Sequence, residues 1–149
     1  MRRAERGFSL LELVAVLTLA SLLLFMAAPG FYSSWKRQQD LASLREMAAA
    51  LRLARGAAVT TRQRVRLFVD VNTGRYRLEE PVRRGALPGM RLADAHLVWQ
   101  DASRRLGYIA FYGDGSSSGG RLALVDREGR RHLLNVEIIT GKVTLKTSS

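Results

Sequence analysis

The chain has 149 residues, enough for one modest folded domain and an additional helical segment. It contains no cysteine, which excludes disulfides, thiolate metal sites and cysteine nucleophiles. Its 24 Lys and Arg against 13 Asp and Glu give a formal net charge of +11, compatible with plain solubility and also with attraction to nucleic acid or anionic lipid.

A long apolar segment runs from Phe8 to Ala28, after a short leader that contains three arginines. At about 1.5 Å per residue, a helix of this length would cross the hydrocarbon core of a bilayer. Because the positive charges precede it, we expect the N-terminus in the cytoplasm and residues 31 onward on the exported side. The acid within the segment, Glu12, would be costly in a membrane, which favours pairing with a positive charge on a neighbouring subunit. The alternative is a carboxylate that faces the lipid headgroups.

The start of this segment resembles a known processing motif. Gly7-Phe8-Ser9-Leu10-Leu11-Glu12 is similar to the motif of type IV prepilins and type II secretion pseudopilins. The resemblance implies that a membrane prepilin peptidase cuts between Gly7 and Phe8 and then N-methylates the amine of Phe8. It also implies that Glu12 sets the register between subunits in a filament.

Pro29 matches the position of a helix kink in the same family. Proline removes a helical N–H and clashes with the preceding turn, so the helix should bend there. The alternative is that Pro29 simply ends the apolar span.

A helical pattern resumes after Gly30 and predicts that residues 31–62 form the outer half of one long helix. Its apolar positions recur at three- and four-residue steps and should pack against a β-sheet. These positions are Leu41, Leu44, Ala48, Leu51, Ala54 and Ala58.

From Arg64 the apolar period changes to two, which predicts a hairpin of residues 64–71 and 75–79 around the turn Asn72-Thr73-Gly74. Residues 80–94 contain several turn residues and are expected to form a loop. Further strands are predicted at residues 96–100, 106–112, 121–126, 131–138 and 142–146. The fold class is therefore α+β, with a long N-terminal helix, transmembrane in its first half, packed on an antiparallel sheet.

The later sequence narrows the resemblance. The run Tyr108–Val125 and the closing Thr140-Gly141-Lys142-Val143 are similar to the GspH/FimT pseudopilin domain, in which Arg is common at the position of Lys142. The resemblance implies a cleaved leader (1–7), a transmembrane and assembly helix (8–30) and a periplasmic GspH-like domain (31–149).

The function implied is that of a structural minor pseudopilin of the type II secretion pseudopilus, which supports protein export across the outer membrane. The protein would cross the inner membrane once, with its N-terminus in the cytoplasm and its C-terminal domain in the periplasm. Its partners would be the major and minor pseudopilins of the same filament, and prepilin peptidase would process it.

The alternative is a FimT-like minor type IV pilin that binds DNA for natural transformation, and nucleic acid is a partner only in that case. Against it, the basic C-terminal motif of the FimT pattern is reduced here to one cation, Lys142. Candidate contacts to DNA or to another acidic partner are Arg83, Arg84, Arg104, Arg105, Arg130 and Arg131.

No enzyme motif is found. The glycine-rich run 113–120 lacks the Gly-Lys-Ser/Thr ending of a phosphate loop and is followed by a strand, so it is expected to be a flexible hairpin loop. Asp114 has no second carboxylate nearby, and His96 and His132 are far apart without acids at ligand spacing, which predicts surface or strand positions. We therefore expect neither metal, cofactor nor catalysis.

Overall fold

The computed structural model describes residues 9–148, and within them the side chains of all but residues 27–34, 36 and 37. The chain divides into two compact units, Met1–Gln38 and Gln39–Ser149. Helix α1, Leu10–Thr61, contributes to both units. Within the described residues, no helix meets the length and hydropathy expected of a membrane-crossing segment.

Helix α1 has a defined start and end. The carbonyl oxygen of Ser9 accepts hydrogen bonds from the backbone N–H groups of Glu12 and Leu13, at 3.0 and 3.1 Å. At the other end, Arg62 has a φ of 54°, the left-handed conformation that terminates many helices. The prediction of one long helix that reaches residue 62 is confirmed to within one residue.

The second half of α1 buries the predicted apolar stripe. Leu44, Leu51 and Ala54 are fully buried in the core, and only Leu41 of the predicted set stays partly exposed. Full burial of a leucine side chain stabilises the fold by about 1.5–3 kcal/mol relative to exposure. The helix contributes these buried residues to the core: Leu44, Met47, Ala48, Ala50, Leu51, Ala54 and Ala58.

The sheet component consists of two antiparallel sheets. Sheet A has the order β3-β2-β1-β6-β5, and sheet B has the order β4-β7-β8-β9. The strands are β1 Val65–Asp70, β2 Arg75–Leu78, β3 Arg83–Ala86, β4 Arg91–His96, β5 Val98–Trp99, β6 Leu106–Phe111, β7 Gly120–Val125, β8 Arg131–Val136 and β9 Val143–Ser148. The α+β class and the predicted first hairpin are confirmed, although two sheets replace the one expected.

The prediction of a loop at residues 80–94 was wrong, because this stretch contains β3 and the start of β4. Gly85 lies opposite Tyr76, and a Cβ at this position would overlap the ring and the hydroxyl group of Tyr76. The strand predicted at 96–100 is also changed. β4 ends at His96 in sheet B, and Val98 already pairs with Tyr108 in sheet A, so the chain changes sheets at Leu97.

Candidate assembly site

The first described turns of α1 expose a long surface that is mostly apolar. Every side chain from Ser9 to Met26 is exposed, with Leu10 at 82% and Phe25 at 80%. An exposed apolar surface of this size marks a region that is covered by a membrane or by other protein chains.

The polar side chains within this surface differ in whether they have partners. The hydroxyl groups of Thr18 and Ser21 donate to the carbonyl oxygens of Val14 and Leu17, four residues earlier, at 2.6 and 2.7 Å. These bonds satisfy both hydroxyls inside the helix. The carboxylate of Glu12 has neither a hydrogen bond nor an ion pair with any described residue. Glu12 is therefore a charged group on this surface whose carboxylate is left available for an interaction outside the described chain.

The other predicted assembly residues lie wholly or partly outside the described part of the chain. Gly7 and Phe8, with the rest of the predicted leader, lie outside the described residues. Helix α1 continues through Pro29 without a break in its bounds, and the side chain of Pro29 is not described. Cleavage, N-methylation and a kink at Pro29 therefore stay predictions.

The arginines suggested as anion contacts are distributed over separate elements of both sheets. Arg83 and Arg84 lie in β3 at the edge of sheet A, and Arg131 begins β8 in sheet B. Arg104 and Arg105 precede β6. The guanidinium of Arg130 is occupied by ion pairs. These are to Asp126 at 2.7 Å and to Glu128 at 3.1 Å.

Sheet A brings together a different set of cations, which sequence reasoning missed. The guanidinium of Arg66 lies 5.1 Å from the ring centre of Phe68, and that of Arg77 lies 5.5 Å from the same ring. Arg66 also donates to both carboxylate oxygens of Glu79, at 3.0 and 2.8 Å. The alternation of residues 64–69 in the sequence places Arg66 and Phe68 on one face, but only the strand register adds Arg77.

A buried polar cluster was also missed. Nε2 of His132 lies 3.0 Å from Oδ2 of Asp126, and Nδ1 lies 3.1 Å from the hydroxyl oxygen of Thr147. His132 is a strand residue, as expected, but it is fully buried and has an acidic partner. The sequence showed no acid at metal-ligand spacing from His132, but the β7–β8 turn brings the carboxylate of Asp126 to its ring.

The carboxylate of Asp126 is satisfied by more than the histidine. Oδ1 accepts from the backbone N–H groups of Glu128 and Arg130, and Oδ2 accepts from the Arg130 guanidinium at 2.9 Å. Burial alone would raise the pKa of Asp126. The hydrogen bonds from His132, Arg130 and Glu128 outweigh that effect and hold this pKa well below its usual range.

The glycine- and serine-rich run, expected to be a flexible loop, is fastened to its surroundings. The backbone N–H and hydroxyl of Ser117 donate to the carbonyl oxygens of Ile138 and Glu137, at 2.7 and 2.8 Å. The carboxylate of Asp114 accepts from the N–H and hydroxyl of Ser116. Arg55 of helix α1 donates to the carbonyl oxygen of Gly115 at 3.3 Å. The loop thus connects α1 to the segment after β8.

Two family models match the chain. The model described as "Type II transport protein GspH" matches residues 43–139, and the model described as "Prokaryotic N-terminal methylation motif" matches residues 2–28. The chain is 32% identical over 147 residues to the type II secretion system protein H of Xanthomonas campestris pv. campestris. That match covers 96% of this chain and 84% of the relative.

Solved structures show the same fold. The type IV minor pilin FimU of Pseudomonas aeruginosa has a TM-score of 0.55 at 16% identity, covering 74% of this chain and 90% of FimU. The minor pseudopilin EpsH from the type 2 secretion system of Vibrio cholerae has a TM-score of 0.50 at 13% identity, covering 73% of this chain and 94% of EpsH. These likenesses confirm the pilin-like arrangement of an N-terminal helix followed by β-sheet.

Proposed function

Because the chain belongs to the GspH family of type II transport proteins, we propose that this minor pseudopilin assembles through the first turns of helix α1. It is a structural subunit of the type II secretion system, and we assign it no catalytic role. The comparisons give DNA uptake no support, and the scattered positions of the arginines suggested for it agree with that result.

Processing is the first step of the proposal. Prepilin peptidase cleaves between Gly7 and Phe8 and N-methylates the new amine, which remains protonated near neutral pH. The match of residues 2–28 to the methylation motif supports this step. It leaves a positive charge close to the start of α1.

Pairing of charges is the second step. The observation that carries it is that the Glu12 carboxylate has no hydrogen-bond or ion-pair partner among residues 9–148. In a filament, the protonated amine of Phe8 on one subunit meets Glu12 of a neighbour. An isolated charge in an apolar environment costs several kcal/mol, whereas a close ion pair offsets much of that cost. Pairing therefore selects one axial position of each subunit over others.

The third step is burial of the exposed apolar surface of α1, first by the membrane and then by other subunits. Residues 8–30 lie in the inner membrane before assembly, with the N-terminus in the cytoplasm, and pack against the major and minor pseudopilins afterwards. The exposed side chains from Leu10 to Met26 support this role. Residues 31–149 then occupy the periplasm, where growth of the pseudopilus supports protein export across the outer membrane.

The experiment compares Glu12→Ala and Glu12→Gln with a control, Thr18→Ala, in the same exposed segment. Intact mass should show an N-methylated Phe8 terminus in all three, and only when prepilin peptidase is present. Incorporation into the pseudopilus should fail in both Glu12 variants. It should persist in Thr18→Ala, because the Thr18 hydroxyl bonds only within its own helix in the described structure. Normal incorporation of Glu12→Ala would refute the pairing step. A chain that starts at Met1 both with and without prepilin peptidase in the cells would refute the processing step.

A further inference from the structure

One face of sheet A carries four arginines and two aromatic rings. Leu67, Val69, Tyr76 and Leu78 belong to the core that includes helix α1. Since side chains alternate along a strand, the residues between them point to the opposite face. We call this opposite face the arginine face. Its cations and rings are Arg66, Arg75, Arg77, Arg84, Phe68 and Tyr108.

The strand register aligns most of these residues in one row. Arg84 lies opposite Arg77, Arg77 opposite Phe68, and Phe68 opposite Tyr108. Directly opposed residues share a face of the sheet and lie in side-chain contact range. The row therefore crosses four adjacent strands, with two cations at one end and two aromatic rings at the other.

The aromatic rings support the guanidinium groups. Arg77 and Arg66 both lie over Phe68, which is only 8% exposed, and the rings of Phe68 and Tyr108 are 5.7 Å apart. Stacking of this kind restricts both arginine side chains. It leaves the N–H edge of Arg77 available, whereas Arg66 already donates to Glu79. Binding an anion would then cost less conformational entropy than it does with free arginines.

No ion pair with a described residue neutralises Arg77 or Arg84, although Arg77 contributes, after Arg66, to lowering the pKa of Glu79. Glu79 is already bound to Arg66, and Oδ1 of Asp70 accepts from the backbone of Asn72 and Thr73. In the described part of the chain, no acid pairs with Arg77 or Arg84. Like charges directly opposite each other on neighbouring strands destabilise a sheet. A ligand that supplied carboxylates between them would remove this repulsion.

We propose that the arginine face is a docking surface for an acidic segment of a partner protein, with carboxylates at Arg77 and Arg84. Arginine forks bind carboxylates through paired hydrogen bonds. The net charge of +11 opposes a second copy of this chain as the occupant. A cleft of about 290 Å³, lined in part by Phe68, Arg77 and Leu106, accommodates an apolar side chain of the same segment. This surface goes beyond the helix-mediated assembly and does not depend on it.

The test uses the full chain in detergent and a fluorescent peptide of ten glutamates, with binding followed by anisotropy at about 50 mM salt. The variant R77Q/R84Q, which removes both charged contacts, should bind about tenfold more weakly than the natural chain, a change of about 1.4 kcal/mol. The control R121Q/R131Q removes the same charge from exposed positions of sheet B and should change affinity less than about twofold.

Three other binding results would overturn the proposal. If the natural chain does not bind the peptide, the proposed site does not exist. If both double variants lose affinity equally, binding reflects the net charge of the chain and not the arginine face. Displacement of the peptide by a DNA duplex of equal charge at lower concentration rejects an acidic protein as the occupant. The thermal midpoint of R77Q/R84Q should be unchanged or higher. If the midpoint falls instead, R77K/R84K serves as the second variant. It keeps both positive charges but lacks the guanidinium groups that bind carboxylates through paired hydrogen bonds, and it must also bind the peptide more weakly. None of these results bears on Glu12.

Discussion

His132 and Asp126 face each other across the β7–β8 turn, with Nε2 of the histidine 3.0 Å from Oδ2 of the carboxylate and both side chains buried. The other ring nitrogen of His132 contacts the hydroxyl of Thr147 in β9. A single side chain therefore connects the turn to the last strand. Since buried polar groups are costly when unpaired, this cluster should matter more for stability than its size suggests.

Asp126→Asn should lower the free energy of unfolding by about 2–3 kcal/mol, because it removes the charged acceptor that serves Arg130 and His132. Urea unfolding followed by circular dichroism measures the change. Asp94→Asn is the matched control: Asp94 also pairs with a histidine, His96, but both are exposed. This control should lose less than about 1 kcal/mol. Equal losses in the two variants would show that burial of the cluster contributes nothing.

Stability should fall in acid through the same carboxylate. The pKa of Asp126 is lower in the folded chain than its unfolded value of about 3.9. Its contribution is therefore complete above about pH 4 and is lost as the pH falls towards the folded pKa. Unfolding free energies measured from about pH 7 to pH 2 should decline less steeply in Asp126→Asn. Some decline should persist, since the pKa values of Glu79 and Asp70 are also lowered. A variant curve parallel to that of the natural chain would contradict this assignment.

Gly85→Ala should destabilise the fold by about 1–3 kcal/mol, because the new methyl group would overlap the ring of Tyr76, which is 4% exposed. Gly56→Ala is the same substitution in helix α1 where nothing lies within 4 Å of the added atom. It should stabilise by about 0.5–1 kcal/mol, as alanine favours helix. Thermal unfolding of both variants tests the opposite signs, and a stabilised Gly85→Ala would show that Tyr76 can move aside.

Leu51→Ala should cost about 2–5 kcal/mol, since Leu51 is fully buried in the core formed by α1 and the sheets. Leu53, two positions along the same helix, is 37% exposed, and Leu53→Ala should cost less than about 1 kcal/mol. Denaturant unfolding of the pair measures how the helix is oriented on the core. Similar losses would mean that both faces of the helix are covered.

Long periodic elements were predictable from the sequence, and short edge strands were not. The apolar repeat of α1 from Leu44 to Ala58 and the alternation in β1 both reflect burial against one core. β3 consists of Arg83-Arg84-Gly85-Ala86, and none of its side chains is buried. It forms because the backbone of β2 has a free edge to pair with, which composition does not reveal. The sheet change at Leu97 likewise depends on tertiary packing.

For the candidate site, the sequence predicted Glu12 because one acid in an apolar segment is conspicuous without any structure. The Asp126–His132 pair was missed because ligand spacing was judged along the chain, whereas the turn brings together residues six apart. Arg77 and Arg84 are neighbours only through the β2–β3 register. Contacts across strands depend on pairing that the sequence does not state.

The edge strands of the two sheets have features that hinder strand pairing between subunits at high local concentration. β3 carries two arginines, β5 has two residues, β4 is irregular between Leu92 and Asp94, and β9 includes Lys146. Charge, shortness and irregularity all discourage a strand from recruiting a strand of another molecule. The two sheets are therefore protected at their edges against amyloid-like polymerisation through added strands.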